Sequence, residues 1–262
     1  WLITSLTPEE RTYGCSIAVD GNHHPHIAFR VVHLNSSGMA SFGLSYAYFN
    51  GTSWEISSID SGNSIDISIA VDSGDQPHIT YQNLDDADNP LKYAYLGAET
   101  WIFLDVELIY NSDVDTSSIS LDSLDNVHIS YIIDVAGGST EELRFATLVG
   151  DSFQKETILS EEISFNATSL DFDSNDKPHI SYLTENFGTL EYVKKVEGTW
   201  VWDSEWSIID RSLDAGKSLS LDIDSRDIPA IAYKRGTQTD ENLSVSQRIG
   251  GGWNQSSVAD DV

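Results

Sequence analysis

Cysteine occurs once in this sequence, at Cys15, so no disulfide can close within the chain and its redox compartment cannot be taken from pairing. The residue stands among small side chains at a strand position, which predicts a buried, inert thiol. No apolar run reaches the ~18 residues of a membrane helix, which excludes a helical transmembrane segment. Basic residues are also scarce, 14 Lys and Arg against 42 Asp and Glu, for a net charge of −28. That field repels phosphate backbones and anionic lipid at long range, so nucleic acid and membrane surfaces are poor partners. Two readings of the acidity remain: a solvated surface suited to a salty or extracellular setting, or recruitment of Ca²⁺ or a cationic partner.

Catalytic signatures are missing too. There is no Gly-x-Ser-x-Gly, no His-Glu-x-x-His, no phosphate loop and no cysteine nucleophile in a recognisable setting. Neither an initiator Met nor a signal peptide opens the chain, which starts at Trp1 inside a repeat and so reads as a trimmed or mature fragment. Asn-x-Ser/Thr sequons at Asn35, Asn50, Asn166, Asn242 and Asn254 would suit secretion.

What the sequence does hold is a repeat. Segments around Pro25-His26-Ile27, Pro77-His78-Ile79, Val127-His128-Ile129, Pro178-His179-Ile180 and Pro229-Ala230-Ile231 recur at intervals of 52, 50, 51 and 51 residues. Six positions before His26, His78, His128, His179 and Ala230 stands Asp20, Asp72, Asp122, Asp173 or Asp224, and three positions after stands Phe29, Tyr81, Tyr131, Tyr182 or Tyr233. A second block starts at Leu44, Leu91, Leu143, Leu190 and Leu243, and ten residues after each Leu comes Trp54, Trp101, Phe153, Trp200 or Trp253. Trp1 is a sixth copy of that aromatic. Each unit reads as four short strands a to d, in the second unit approximately 65–71, 77–82, 91–95 and 101–108, with no helical period anywhere. Four strands repeated five times predict an all-β, five-bladed β-propeller with four-stranded antiparallel blades. The chain is expected to form one domain, 1–262, closed by pairing of its terminal strands. Since Trp1–Thr7 alternates better than Trp253–Val262, the N-terminal strand is expected to close the fifth blade beside strand c, leaving the C-terminal one marginal, displaced or exchanged with another molecule.

The runs Asp72-Ser73-Gly74-Asp75-Gln76-Pro77-His78-Ile79-Thr80-Tyr81 and Asp173-Ser174-Asn175-Asp176-Lys177-Pro178-His179-Ile180-Ser181-Tyr182, each followed by a Leu-containing strand and then Trp, resemble a bacterial and archaeal extracellular propeller repeat family. More distantly, blade number and length resemble five-bladed tachylectin-type lectins, and the repeat style resembles fucose-binding propeller lectins. The last place a recurring Arg and an acidic residue between blades; Arg30, Arg144 and Arg248 do not recur in register here.

Antiparallel strands put the a–b and c–d turns at one face and the b–c and d–a loops at the other. The a–b and c–d spacings are constant, whereas b to c runs 17, 12, 14, 10 and 12 residues and d to a runs 19, 18, 21, 20 and 24. Variable loops on a uniform scaffold are where binding residues reside, so the candidate ligand residues are Phe42, Asp85, Asp86, Asp88, Glu141, Glu185, Asn186, Phe187 and Asp240. Phe42 and Phe187 are the aromatic sugar contacts of that set, or else pack under their loops.

The recurring residues read chiefly as structural. His26, His78, His128 and His179 invite a metal, but equivalent sites on different blades are too far apart to share one ion, and the fifth copy is Ala230. Asp20, Asp72, Asp122, Asp173 and Asp224 suit side-chain acceptors that hold the a–b turn. The rival is Ca²⁺, best served by Asp171, Asp173 and Asp176 with Asn175, then by Asp222, Asp224 and Asp227, without the glycine and final Glu of an EF-hand loop. Trp54, Trp101, Trp200 and Trp253 suit the gaps between blades, where propeller lectins also bind sugars. The expected protein is a non-catalytic extracellular or cell-surface binding propeller, glycan-binding in the manner of a lectin, with no required cofactor. It would be a monomer or strand-exchanged dimer. The alternatives are a structural or protein-interaction module of a larger cell-surface protein and, third, a glycoside hydrolase.

Overall fold

The computed structural model describes residues 11–34, 37, 40–86, 91–98, 100–107, 114–135, 140–161, 165–184, 188–202, 208–210, 218–237 and 240–258. They form five antiparallel sheets, each from consecutive strands. The first holds β1 (Arg11–Val19), β2 (Pro25–Leu34), β3 (Ala40–Phe49) and β4 (Trp54–Ser61). The second holds β5 (Ser64–Val71), β6 (Pro77–Asn83), β7 (Leu91–Leu96) and β8 (Trp101–Glu107). In the third are β9 (Val114–Leu121), β10 (Val127–Val135), β11 (Thr140–Val149) and β12 (Ser152–Glu161). The fourth has β13 (Phe165–Phe172), β14 (Pro178–Thr184), β15 (Thr189–Val196) and a last strand in two pieces, β16 (Thr199–Trp202) and β17 (Ile208–Asp210), both paired to β15. The fifth is β18 (Leu219–Ile223), β19 (Pro229–Thr237), β20 (Asp240–Ile249) and β21 (Gly252–Ser257). No helix long and apolar enough to cross a membrane occurs among the described residues.

One turn design explains why every sheet starts alike. The carboxylate of Asp173 accepts the backbone N–H of Asn175 at 2.9 Å and of Lys177 at 3.0 Å, and its own N–H donates to the Lys177 carbonyl. Asp20, Asp72, Asp122 and Asp224 repeat this, each taking the N–H groups two and four residues ahead. The residue three positions on is left-handed: His23, Asp75, Asp125, Asp176 and Asp227 have φ between 56° and 64°. Asp tolerates that region better than most L residues.

The chain packs as two compact units, Trp1–Tyr110 with Val149–Phe153, and Asn111–Leu148 with Gln154–Val262. In the first unit, Ala28, Leu44, Tyr46 and Ile59 of the first sheet pack on Ile69, Ile79, Tyr81 and Ala94 of the second. In the second unit Ile132, Leu143 and Phe145 meet Leu170, Ile180 and Tyr182, and Leu183, Leu190 and Tyr192 meet Leu221, Ile231 and Tyr233. Burying each Leu, Ile or Phe side chain among these stabilises the fold by about 1.5–3 kcal/mol. The same polar links accompany these three pairs of sheets. A serine on the first strand accepts the N–H of the next sheet's first strand: Ile69 to Ser16 at 3.2 Å, Leu170 to Ser118 at 3.1 Å and Leu221 to Ser169 at 3.0 Å. The left-handed Asp reaches back to the preceding hairpin, Asp176 to the N–H and hydroxyl of Ser123, Asp227 to those of Ser174, and Asp75 to Gly21 and Asn22. Trp101, Trp200 and Trp253 stand edge-on to Tyr46, Phe145 and Tyr192 of the preceding sheet. Trp54, in the first sheet, packs with Phe49, Phe29, Val31 and Ala47 instead.

Two expectations need correction. The outer edge of β20 is held by β21, from Ser244 with Ser257 to Ile249 with Gly252, so the C-terminal strand is neither marginal nor displaced. The reason is local: Gly250 and Gly251 both have positive φ, +63° and +90°, as a two-residue hairpin turn demands, and closing two residues costs far less entropy than bringing in a distant strand. Trp1–Thr7 lies outside the described residues. Cys15 is exposed rather than buried. It shares a face of β1 with Ile17, 62% exposed, whereas the equivalent Ile69 is 6% exposed, because β1 covers β5 and no described strand of its own unit covers that face of β1.

Candidate functional site

The repeated histidines form a buried relay at the hairpin end. Tyr46 OH meets His26 Nδ1 at 2.6 Å and Tyr93 OH meets His78 Nδ1 at 2.5 Å; Tyr192 does the same for His179, and Thr147 for His128 at 3.0 Å. On the other ring edge, Nε2 lies 3.3–3.5 Å from Asp20, Asp72, Asp122 or Asp173. One neutral tautomer suits both edges, Nδ1 accepting the hydroxyl proton and Nε2–H facing the carboxylate, to which it donates in His78 and His128. Burial holds the His26, His128 and His179 imidazoles below the usual histidine range despite the nearby carboxylates. Burial also acts to raise Asp20, Asp122 and Asp173, but the hydrogen bonds they accept outweigh it and hold them below the usual carboxylate range. Burial likewise pushes the Tyr46 and Tyr93 phenols far above theirs.

The Ca²⁺ candidates do not converge. Asp171 accepts the N–H groups of Phe172 and Ile223, Asp173 holds its turn, and Asp176 reaches back to Ser123. No group of three His, Cys, Asp or Glu among the described residues is placed to hold a metal ion.

Where the first two sheets meet, a groove of about 610 Å³ opens beside the relay. Tyr48, Leu96 and Trp101 give it apolar walls, Glu55, Ser57, Ser58, Asp75 and Gln76 give it polar ones, and His26 and Tyr46 form its buried floor. Glu55 accepts Asn50 Nδ2 at 2.7 Å, and Trp101 is fixed edge-on to Tyr46 at 5.4 Å. Aromatic side chains flanked by carboxylate, amide and hydroxyl groups match a molecule with apolar C–H faces and equatorial hydroxyls.

The variable end holds fewer free groups than its sequence promised. Asp85 accepts the Asn63 N–H at 3.0 Å, Asp86 pairs with Lys92 at 2.7 Å, and Glu141 accepts the Phe165 N–H at 2.6 Å. Asp88, Glu185, Asn186 and Phe187 lie outside the described residues, and of Asp240 only the backbone is described, in β20 opposite Thr237. Phe42 lines a shallow pocket of about 380 Å³ with Arg11, Tyr13, Arg30, Val32 and Ala40. Sequence reasoning missed Arg11, Tyr13 and Arg30 there, and Tyr48, Glu55 and Gln76 in the groove. Two signals were available: cations at unrepeated positions in an acidic chain, and the alternation of Tyr46 and Tyr48 opposite His26.

No protein-family model and no curated protein sequence matches the chain, so the repeat-family resemblance rests on its motif. Solved structures do match. A Dyadobacter fermentans protein of unknown function aligns with a TM-score of 0.69 at 10% identity, over 97% of this chain and 84% of that one. A mutant of the NanB sialidase from Streptococcus pneumoniae aligns with a TM-score of 0.65 at 10% identity, over 97% of this chain and 62% of that one. A mutant Aleuria aurantia lectin in complex with a fucosylated GlcNAc aligns with a TM-score of 0.58 at 13% identity, over 94% and 78%. At such identities the likeness is one of fold, and with the sheet order it shows that this chain is an all-β propeller of five four-stranded antiparallel sheets.

Proposed function

We propose that this protein is a non-catalytic glycan-binding propeller acting outside the cell or at its surface. The observation that carries the reading is the groove between the first two sheets, where Trp101 and Tyr48 line the walls beside Glu55 and Gln76. A lectin among the structural neighbours supports it, and a sialidase among them makes a hydrolase the rival. The net charge of −28 favours neutral glycans over polyanionic ones, because long-range repulsion lowers the local concentration of an approaching polyanion.

A glycan array followed by calorimetry on the pure protein tests this. The expected result is binding of neutral oligosaccharides with altered tryptophan fluorescence, weakened about tenfold or more by Trp101→Ala. Gln76→Ala, at an exposed position, should weaken it without changing the fold. Silence across the array overturns the reading, and release of reducing sugar from any array ligand transfers the protein to the hydrolases.

A further inference from the structure

The pocket at the opposite end of the first sheet is a different site, and it stands whether or not the groove takes a sugar. Two registers build it. Val32 on β2 lies between Arg11 on β1 and Phe42 on β3, and one row along on the same face Arg30 lies beside Tyr13. Arg11 and Tyr13 reach that face because Gly14, at φ +58°, is an extra residue in the ladder between Tyr13 and Cys15. Without it strict alternation would put both on the face of Cys15 and Ile17. A similar irregularity recurs in the first strands of the next three sheets, but the residues it aims here are not repeated. The positions of Arg30 in the other sheets hold Gln82, Ile132, Leu183 and Lys234.

The chemistry is that of an unfilled acceptor site. The Arg30 guanidinium lies over the Phe42 ring, 4.4 Å from its centre, which fixes the plane of the fork. Its Nε is buried and has no hydrogen-bond acceptor among the described residues. A buried donor left so costs about 1–3 kcal/mol. In a chain with 42 acidic residues, no carboxylate lines this pocket among the described residues. Arg11 supplies a second planar fork, Tyr13 a half-exposed phenol, and buried Val32 an apolar floor beside Ala40.

We propose that this pocket binds a carboxylate carried on a sugar ring, a uronic-acid residue, with the carboxylate on Arg30 and Arg11 and the ring against Tyr13 and the apolar floor. Two forks match a planar carboxylate bidentately, and the volume is near the lower end for ligand sites, enough for one such residue. The charge of the whole molecule selects against runs of them, so the ligand is a glycan with isolated acidic residues rather than a polyanion.

The test is titration with sodium glucuronate, glucose and inorganic phosphate, followed at the Arg30 Nε–H resonance in ¹H–¹⁵N spectra so that binding elsewhere does not register. The expected result is a saturable shift with glucuronate, none with glucose, and about tenfold weaker binding of phosphate. Both Arg30→Lys, which keeps the charge and loses the fork, and Phe42→Ala should weaken glucuronate about tenfold, read at the Arg11 Nε–H. An unmoved Arg30 resonance, equal response to glucose, phosphate binding as tight as glucuronate, or full affinity in Arg30→Lys each overturns the proposal.

Discussion

At the hairpin end of each sheet a carboxylate is surrounded by donors, whereas at the other end of the first sheet a buried guanidinium nitrogen has no acceptor among the described residues. The two ends belong to the same strands and differ in what their polar atoms do. The constant end commits its turn carboxylates to backbone N–H groups five times over, which makes it scaffold. The variable end leaves capacity unused at unrepeated positions, as a binding site must.

The sharpest test of the contrast is to remove one hairpin carboxylate. Asp173→Ala strips the acceptor from the Asn175 and Lys177 N–H groups and from His179, and should cost about 3 kcal/mol in a urea unfolding curve. A loss below about 1 kcal/mol would mean that water replaces these bonds and that the constant end is not what holds the sheets.

Acid should attack the same end. His26, His128 and His179 have folded values held by burial below the usual 6.5, so between that value and the folded one the unfolded chain binds more protons. Stability is therefore full above pH 6.5 and declines as the pH falls below it. The lowered carboxylates Asp122 and Asp173 add a second loss below their usual 3.8. A melting temperature that falls between pH 7 and 5.5, less steeply in His179→Gln, is the expected result; a flat profile would show that the imidazoles are not sequestered.

A smaller effect separates the two jobs of the left-handed aspartate. Asp176→Gly keeps the backbone conformation and loses the bonds to Ser123, so its cost should be about 1 kcal/mol, and Asp176→Asn, which keeps one acceptor, should cost less. The order reversed would mean that backbone conformation outweighs the link. At the variable end, Asp86→Asn removes a partly exposed pair with Lys92 and should stay within about 0.5 kcal/mol.

Much of the constant end was legible in the sequence because it is periodic. The Asp at 20, 72, 122, 173 and 224 could be read as a turn acceptor from its offset alone, and the aromatic at 101, 200 and 253 recurs at the position where it meets the neighbouring sheet. What the second Asp does was hidden, since its partner Ser lies 53 residues away and a pairwise link between repeats leaves no local pattern. The variable end defeated sequence reasoning for the opposite reason. Its loops drew attention to Asp85, Asp86 and Glu141, which turn out to be occupied, while Arg11 and Tyr13 reach the pocket through a register shift that no offset rule anticipates. The placing of β21 turned on Gly250 and Gly251, a local signal stronger than the alternation that favoured Trp1–Thr7.

The smallest predicted change in stability carries the most information about function. Arg30→Met replaces a fork that lies over Phe42 with a thioether that still packs on the ring. The cation–ring attraction, which Met cannot make, is worth about 0.5–1 kcal/mol, and the buried donor removed from a site without an acceptor among the described residues had cost about 1–3 kcal/mol. The two nearly cancel, with the balance toward the variant, so unliganded Arg30→Met should unfold at the same urea concentration as the parent or slightly above it. Ligand should then separate them: sodium glucuronate raises the midpoint of the parent and leaves the variant where it was, since only a folded state that binds is stabilised by mass action. A variant destabilised by more than about 1 kcal/mol without ligand would place Arg30 with the scaffold and remove the distinction between the two ends.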